Sequence, residues 1–297
     1  MKKYKSPTAG FTLLEVAIVL IIGGLLIAAA ASMLLSYMKE SRIITTQSRM
    51  TEIDNALIAY LTINNALPCP ASFTDTQDTT TFGRELTDTT AYSGANADCY
   101  QNAGAATGTF RTTGRISGTN TTGYIVIGAV PVRTLNLPDT DIADAWGDRF
   151  TYAVTDWLTT AKQYAATLGS IDVVDSGGNS IPVPPQSAQY VILSYGPDGA
   201  GAYTLAGKQG VACPGGAVET TNCTLPTPKF VSTMLNSTVG ANAYDDLLVW
   251  HAATMPTIII PPNMVAPFVQ NVCPGGWMPF AGAGCTPPAS GVCCQKE

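Results

Sequence analysis

The longest feature in the pattern of hydrophobic and polar positions is an apolar run near the N-terminus, "FTLLEVAIVLIIGGLLIAAAASMLL", at residues 11–35. Its only charged residue is Glu15. A helix of this length extends about 37 Å, which is enough to cross a bilayer. Because Lys2, Lys3 and Lys5 precede the run, the positive-inside rule places the N-terminus in the cytoplasm and the remaining chain on the far side.

Apolar residues continue at helical spacing after this run, and no proline interrupts them before Pro68. The positions that repeat every seven residues are Ile43, Met50 and Leu57, with Ile53 and Tyr60 as a second line. We therefore predict one long helix over residues 11–66, whose second half lays its apolar stripe on a globular head. A free coiled coil is the alternative, and it requires more sustained heptads.

Short runs rich in β-forming residues follow the helix and are bounded by Gly, Pro and Asp. They are "GYIVIGAVPV" (123–132), "RFTYAV" (149–154), "QYVILSYG" (189–196) and "DLLVWH" (246–251). Residues 72–123 are rich in Thr, Ser, Gly and Asn, and we predict a covering loop there. The predicted fold class is α+β, with the long N-terminal helix packed on an antiparallel β-sheet head.

Charge and cysteine content restrict the function. The net charge of −6 makes general nucleic-acid binding unfavourable, so we expect no nucleic-acid partner. Eight cysteines are typical of disulfide formation in an oxidising compartment. His251 is the only histidine, which excludes a His-rich zinc site. A Cys/His nucleophilic pair would need an oriented base, and no residue pattern supplies one.

Glu15 is unexpected inside an apolar run, because a charge at mid-bilayer costs roughly 2.5–3.5 kcal/mol. One alternative is a secretory signal peptide cleaved near the small residues "AAAAS" at 28–32. Signal peptides have apolar cores of about 7–15 residues, and a carboxylate within the core opposes insertion. A plain membrane anchor, the second alternative, leaves Glu15 unexplained.

The basic leader that ends in Gly10, followed by "FTLLEVAIVLIIGGLL", resembles the N-terminus of type IV prepilins and pseudopilins. The resemblance implies that a prepilin peptidase cleaves after Gly10 and that the new N-terminal residue, Phe11, is methylated. It also implies that Glu15 of one subunit neutralises the Phe11 ammonium of its neighbour. This pairing would explain the carboxylate, since buried charges are tolerated chiefly when they are paired.

The head also resembles pilin-like proteins, in particular the major pseudopilin of type II secretion, through "DAWGDRFTYAV" (144–154), "YVILSYGPDGAGA" (190–202) and "YDDLLVW" (244–250). In that group the Asp-Gly loop and the closing acidic strand bind calcium. The resemblance therefore implies three calcium ligands here, Asp198, Asp245 and Asp246, which offer the hard oxygen atoms that calcium requires. Ordinary turn and cap carboxylates are the alternative, because an insertion at 203–243 separates the two segments.

The cysteines predict two disulfides in the head, Cys69 with Cys99 and Cys213 with Cys223. The last four pair among themselves in one of three connectivities, and a bond between the two adjacent residues is disfavoured by geometry. These four are Cys273, Cys285, Cys293 and Cys294. Their segment is rich in Pro and Gly, which favours an irregular, disulfide-held knob.

The predicted organisation is a leader (1–10), the helix (11–66, with 11–35 for the membrane and assembly), the head (67–251) and a Cys-rich tail (252–297). The expected function is that of a structural subunit of a type IV pilus or type II secretion pseudopilus. Its expected partners are other pilins or pseudopilins, prepilin peptidase and an inner-membrane assembly platform. The precursor is expected in the bacterial inner membrane with a periplasmic head, and the mature chain in a periplasmic or cell-surface filament.

Three additions to the head predict a minor subunit: the tract at 72–123, the insertion and the tail. A tip adhesin displayed by a pilin-type helix is the alternative. A membrane-anchored enzyme is the third possibility, and it requires two facing carboxylates in a cleft. Its candidates are Asp139, Asp141, Asp144, Asp148, Asp245 and Asp246.

Overall fold

The computed structural model describes residues 13–87, 99, 108–117, 121–160, 165–213, 218–236 and 244–253, and the backbone of three strands between 265 and 296; the side chains of 28–30 and 32 are outside this description. The chain forms two compact units, Met1–Ala253 and Thr254–Glu297. In chain order, its helices and strands are α1 (Leu13–Asn64), β1 (Phe110–Arg115), β2 (Thr122–Ala129), β3 (Thr151–Thr155), β4 (Asp172–Val174), β5 (Ala188–Ser194), α2 (Thr220–Cys223), β6 (Lys229–Val231), β7 (Leu247–Ala252), β8 (Val265–Phe268), β9 (Trp277–Pro279) and β10 (Val292–Lys296).

The long N-terminal helix is confirmed as α1, which has 52 residues. It ends where the sequence turns to "LPCPA". Asn65 takes the left-handed conformation, with φ of 52°, and its N–H donates to the carbonyl of Leu61 (2.8 Å). This is a common helix ending, because it satisfies a terminal carbonyl that has no partner within the helix.

The second half of α1 packs on the head through the predicted apolar stripe. Met50, Ile53 and Leu57 are buried in the core. The outer positions of the stripe, Ile43 and Tyr60, are partly buried against the same core. Packing an amphipathic face in this way supplies most of the stability of a helix in a protein.

The head is built on a five-stranded sheet with the order β1-β2-β3-β5-β7. Each neighbouring pair is antiparallel, which confirms the α+β class with a helix on an antiparallel sheet. Every residue of the central strands β3 and β5 is buried. The hydroxyl of Tyr190, on β5, donates to Asp54 Oδ1 of α1 (2.6 Å) and adds a directional contact to the apolar packing.

The prediction of a covering loop over the whole of 72–123 is wrong in its last part. Phe110–Arg115 forms β1, which is an edge strand of the sheet and pairs with β2. Its sequence, "FRTTGR", is polar apart from Phe110, as suits an edge strand with one exposed side. Such a strand lacks the apolar alternation on which sequence-based assignment depends.

Two smaller sheets were not predicted. β4 and β6 form a parallel pair within the head. In the second unit, β8, β10 and β9 form a three-stranded antiparallel sheet, so the prediction of a wholly irregular tail is wrong. Cys293 and Cys294 lie in β10, of which only the backbone is described, and Cys273 and Cys285 lie outside the described residues.

Candidate assembly and metal-binding sites

The N-terminal half of α1 exposes apolar side chains. Leu13 and Leu14 are 88% and 70% exposed. Glu15 lies in the first turn of the described helix and is exposed beside them. Within the described part of the chain, no helix has the length and apolar character needed to cross a membrane. The predicted processing residues, Gly10 and Phe11, lie outside the described residues.

Three carboxylates converge beside the turn that follows β5. Asp198, Glu219 and Asp245 each place one oxygen within 4.8 Å of the others. The N–H of Asp198 donates to Asp245 Oδ2 (3.3 Å), and the N–H of Asp245 donates to Glu219 Oε1 (2.8 Å). Gly196 permits this approach, because a Cβ there would lie 2.2 Å from the carbonyl oxygen of Asp245. The site thus joins three segments that are distant in sequence.

Three negatively charged groups are crowded together at this site. Burial, followed by the hydrogen bond and charge of Asp245, raises the pKa of Glu219 to about 7. Burial also raises the pKa of Asp245 above its ordinary value. The Oδ1 atom of Asp245 is buried and has no hydrogen-bond partner among the described residues. A buried carboxylate oxygen without a partner is costly, and a cation bound by the three carboxylates would remove that cost.

Asp246 does not join this group, although the sequence placed it with Asp198 and Asp245. Its Oδ2 atom accepts a hydrogen bond from Asn222 Nδ2 (2.8 Å) in the interior. Burial raises the pKa of Asp246 well above its ordinary value. Successive side chains of an extended segment point to opposite sides, so two adjacent aspartates rarely face one site.

Glu219 takes the place that the sequence gave to Asp246. It precedes α2 within the insertion, where no motif marks it. Two signals in the sequence could have pointed to it: Glu219 is the one acidic residue of the insertion, and it lies close to the predicted disulfide, which the structure contains as Cys213–Cys223. The second bond predicted for the head, Cys69–Cys99, is also present in the structure.

The Asp-x-Trp-Gly segment forms a tight turn around the carboxylate of Asp144, and we call residues 143–148 the Asp144 turn. The Oδ1 atom of Asp144 accepts hydrogen bonds from the backbone N–H groups of Trp146 (2.9 Å), Gly147 (3.0 Å) and Asp148 (3.1 Å). Its Oδ2 atom accepts a hydrogen bond from Ser194 Oγ (2.6 Å) on β5. Asp144 therefore organises the turn and joins it to the centre of the sheet.

Two of the other carboxylates considered for catalysis, Asp139 and Asp141, have structural partners. Asp139 pairs with Arg133 (2.7 Å), and Asp141 lies 3.8 Å from Arg49 Nε. A cavity of about 500 Å³ beside β6 is lined by residues without a carboxylate: Ser176, Val218, Thr233, Met234, Leu235, Asn236 and Tyr244. Among the described residues, this cavity therefore does not bring together the two facing carboxylates that the enzyme alternative requires.

Comparison with known protein families identifies a known motif at the N-terminus. No curated protein and no solved structure matches the chain significantly. Residues 5–31 match the family model for the prokaryotic N-terminal methylation motif, a segment that includes Gly10, Phe11 and Glu15. The match confirms the prepilin-type methylation motif at the N-terminus and is consistent with a type IV prepilin- or pseudopilin-like protein.

Proposed function

We propose that this chain is a pilin-like structural subunit, processed by prepilin peptidase between Gly10 and Phe11 and assembled into a type IV pilus or type II secretion pseudopilus. The observation that carries the proposal is the methylation motif at 5–31 in front of a long helix that packs on an antiparallel sheet. Mass spectrometry of the mature N-terminus tests it. A chain that begins near Ser32, or that retains Met1, would contradict it.

The assembly step in this proposal uses the exposed half of α1. Residues 11–35 hold the precursor in the inner membrane, with the leader in the cytoplasm, until the assembly platform transfers the subunit to a filament. The exposed leucines at 13 and 14 support this role, since they offer apolar surface that bilayer or neighbouring helices can cover.

Glu15 has a defined task in this scheme. Cleavage produces an α-ammonium with an ordinary pKa of about 7.7–8.0, and Glu15 of one subunit pairs with Phe11 of the next. Loss of one partner of a buried pair typically costs about 3–5 kcal/mol, so Glu15→Ala should be cleaved normally but incorporated poorly. Glu15→Gln keeps the shape without the charge. Normal incorporation of Glu15→Gln, measured by quantifying the chain in sheared filaments, would exclude the pairing.

We further propose that Asp198, Glu219 and Asp245 bind calcium. The buried, unpartnered Oδ1 atom of Asp245 supports the proposal. A ligand present at 100 times its Kd stabilises the folded state by about 2.7 kcal/mol, so calcium should raise the Tm of the full-length chain. Glu219→Gln should lose most of this increase, while Glu52→Gln, at an exposed position on α1, should keep it. An equal increase in both variants would rule out this site.

The place of the subunit in the filament is also a proposal: a minor subunit at or near the tip. A repeating subunit must pack against copies of itself at every step, and each addition to its surface must fit that lattice. The supporting observation is that Thr254–Glu297 forms a compact unit of its own, which a tip position could present to a partner. Quantitative mass spectrometry of purified filaments would refute this rank if the chain were the most abundant pilin.

A further inference from the structure

The second half of α1 contacts the head in two chemically different ways. One contact is the apolar stripe of Met50, Ile53 and Leu57 on the sheet. Apolar packing is largely non-directional, so it tolerates small rotations of a helix over a sheet. The other contact is polar, and it joins Thr46 and Arg49 to the Asp144 turn.

The polar contact consists of directional hydrogen bonds to backbone atoms. Arg49 Nη1 donates to the carbonyl oxygens of Ala143 (2.7 Å) and Asp144 (3.1 Å). Thr46 Oγ1 accepts a hydrogen bond from the N–H of Ala145 (3.1 Å). Thr46 is fully buried and Arg49 is half-buried, so water has little access to the bonds of Thr46. One helical turn therefore binds two consecutive peptide units of the turn through three hydrogen bonds.

The turn that receives these bonds is held firmly to the sheet. Asp144 binds three N–H groups within the turn and accepts the hydroxyl of Ser194 on β5. The neighbouring residue Phe150 donates its N–H to the carbonyl of Ile142 (2.9 Å), which closes the turn from its other end. A continuous chain of hydrogen bonds thus runs from α1 through the Asp144 turn to the central strand β5.

We infer that Thr46 and Arg49 are positioning residues that fix the orientation of the head on the helix. The inference rests on the proposed function, because the lattice of a filament is set by the helices, and a head that rotates on its helix meets its neighbours in variable positions. The apolar stripe supplies affinity between helix and sheet, while the two polar residues select one orientation among those that the stripe allows.

The test measures orientation directly in the full-length chain in detergent. Spin labels carried by unnatural amino acids at Glu40 and Lys229, two exposed positions on α1 and β6, report the helix-to-head distance by pulsed electron paramagnetic resonance. Thr46→Val keeps the shape but removes the acceptor. We expect it to broaden the distance distribution about twofold, because the lost bond frees the helix to rotate locally.

Two further variants separate this role from a general loss of structure. Thr46→Ser keeps the acceptor and should restore the narrow distribution. Arg49→Gln should broaden it as Thr46→Val does, whereas Arg42→Gln, at an exposed position on the same helix, should leave it unchanged. Parent-like widths for both Thr46→Val and Arg49→Gln would overturn the inference.

The same set of variants distinguishes this inference from the proposed function. If Thr46→Val broadens the distribution and also enters filaments poorly, with rescue of both by Thr46→Ser, both stand. If the broadening occurs but the parent chain itself never enters filaments, the proposed function fails while the positioning role is retained. If Thr46→Val broadens the distribution and still enters filaments normally, the role in assembly is excluded.

Discussion

Arg149 offers the sharpest test of how the loops of the head are held. The residue precedes β3, and its side chain is completely buried. Its guanidinium donates to the carbonyl oxygens of Ser72 (3.3 Å), Thr204 (3.0 Å), Leu205 (3.0 Å) and Asp75. These carbonyls belong to two loops that are far apart in sequence, so a single side chain joins both loops to the start of a central strand.

The expected effect of Arg149→Met follows from these four bonds. Burial lowers the pKa of Arg149 to about 10, so the side chain remains charged at neutral pH. Hydrogen bonds to a charged group contribute about 1.5–3 kcal/mol each, but water can replace part of what is lost. We therefore expect a loss of about 3–5 kcal/mol, because four carbonyl oxygens lose their donor and each buried acceptor left unsatisfied costs about 1–3 kcal/mol before water replaces part of the loss. In a domain of this size that corresponds to a decrease of roughly 10 °C in Tm.

The assay is thermal unfolding of the full-length chain, followed by tryptophan fluorescence. Arg84→Met is the matched control, because Arg84 is exposed and lies in the loop that Arg149 holds. Arg149→Lys retains the charge but lacks the planar set of five donors, so its Tm should lie between those of the parent and Arg149→Met. If Arg149→Met melts within about 1 °C of Arg84→Met, the bonds to the two loops do not stabilise the head.

Two further predictions concern a buried acid and a disulfide. Burial, followed by the charge of Asp144, raises the pKa of Asp148 from 3.8 to about 6, so its contribution to stability is complete below about pH 4 and is lost as the pH rises through 6. Asp148→Asn should therefore raise the Tm at pH 7 but not at pH 4, with calcium chelated; an equal change at both pH values would refute this. The Cys69–Cys99 bond closes a loop over a separation of 30 residues, so replacing both cysteines with serine should cost about 3–4 kcal/mol, and an unchanged Tm would show that the bond does not stabilise the head.

The helix and the central strands could be predicted because their signals are local. The spacing of Met50, Ile53 and Leu57 depends only on the helical period, and these residues are buried as the period requires. The central strands are apolar runs bounded by turn residues, and such runs are recognisable without knowledge of their partners. Local periodicity was therefore sufficient to predict both the fold class and the face of α1 that packs on the head.

The elements that the sequence did not predict depend on the strands with which they pair. β1 is polar and becomes a strand by pairing with β2. β4 and β6 have three residues each, and Asp172 pairs with Lys229 of the insertion. Strands of this length have almost no periodicity of their own, and their formation is decided by tertiary contacts.

The candidate metal site shows the same division within a single group of residues. Asp198 and Asp245 were predicted because the Asp-Gly loop and the acidic segment occur in the order of a known motif. Glu219, the one acidic residue of the insertion, was not predicted, because the path of the insertion decides whether it returns to the other two carboxylates. Asp246 was assigned through the same resemblance, whereas its burial beside Asn222 depends on the packing of α2.

Buried polar residues attach the long additions to the sheet, together with apolar residues of the additions such as Phe73 and Phe230. Arg149 binds two loops. Asn222 donates to Asp246 (2.8 Å) and to the carbonyl oxygen of Val231 (3.0 Å), and it accepts a hydrogen bond from the N–H of Val231 (2.7 Å). Hydrogen bonds of this kind are specific in geometry but contribute only modestly to stability one at a time. Loss of one anchor should therefore release its own loop while α1 and the central strands remain packed. This separation allows the additions to vary without changing the helix and sheet on which assembly would depend.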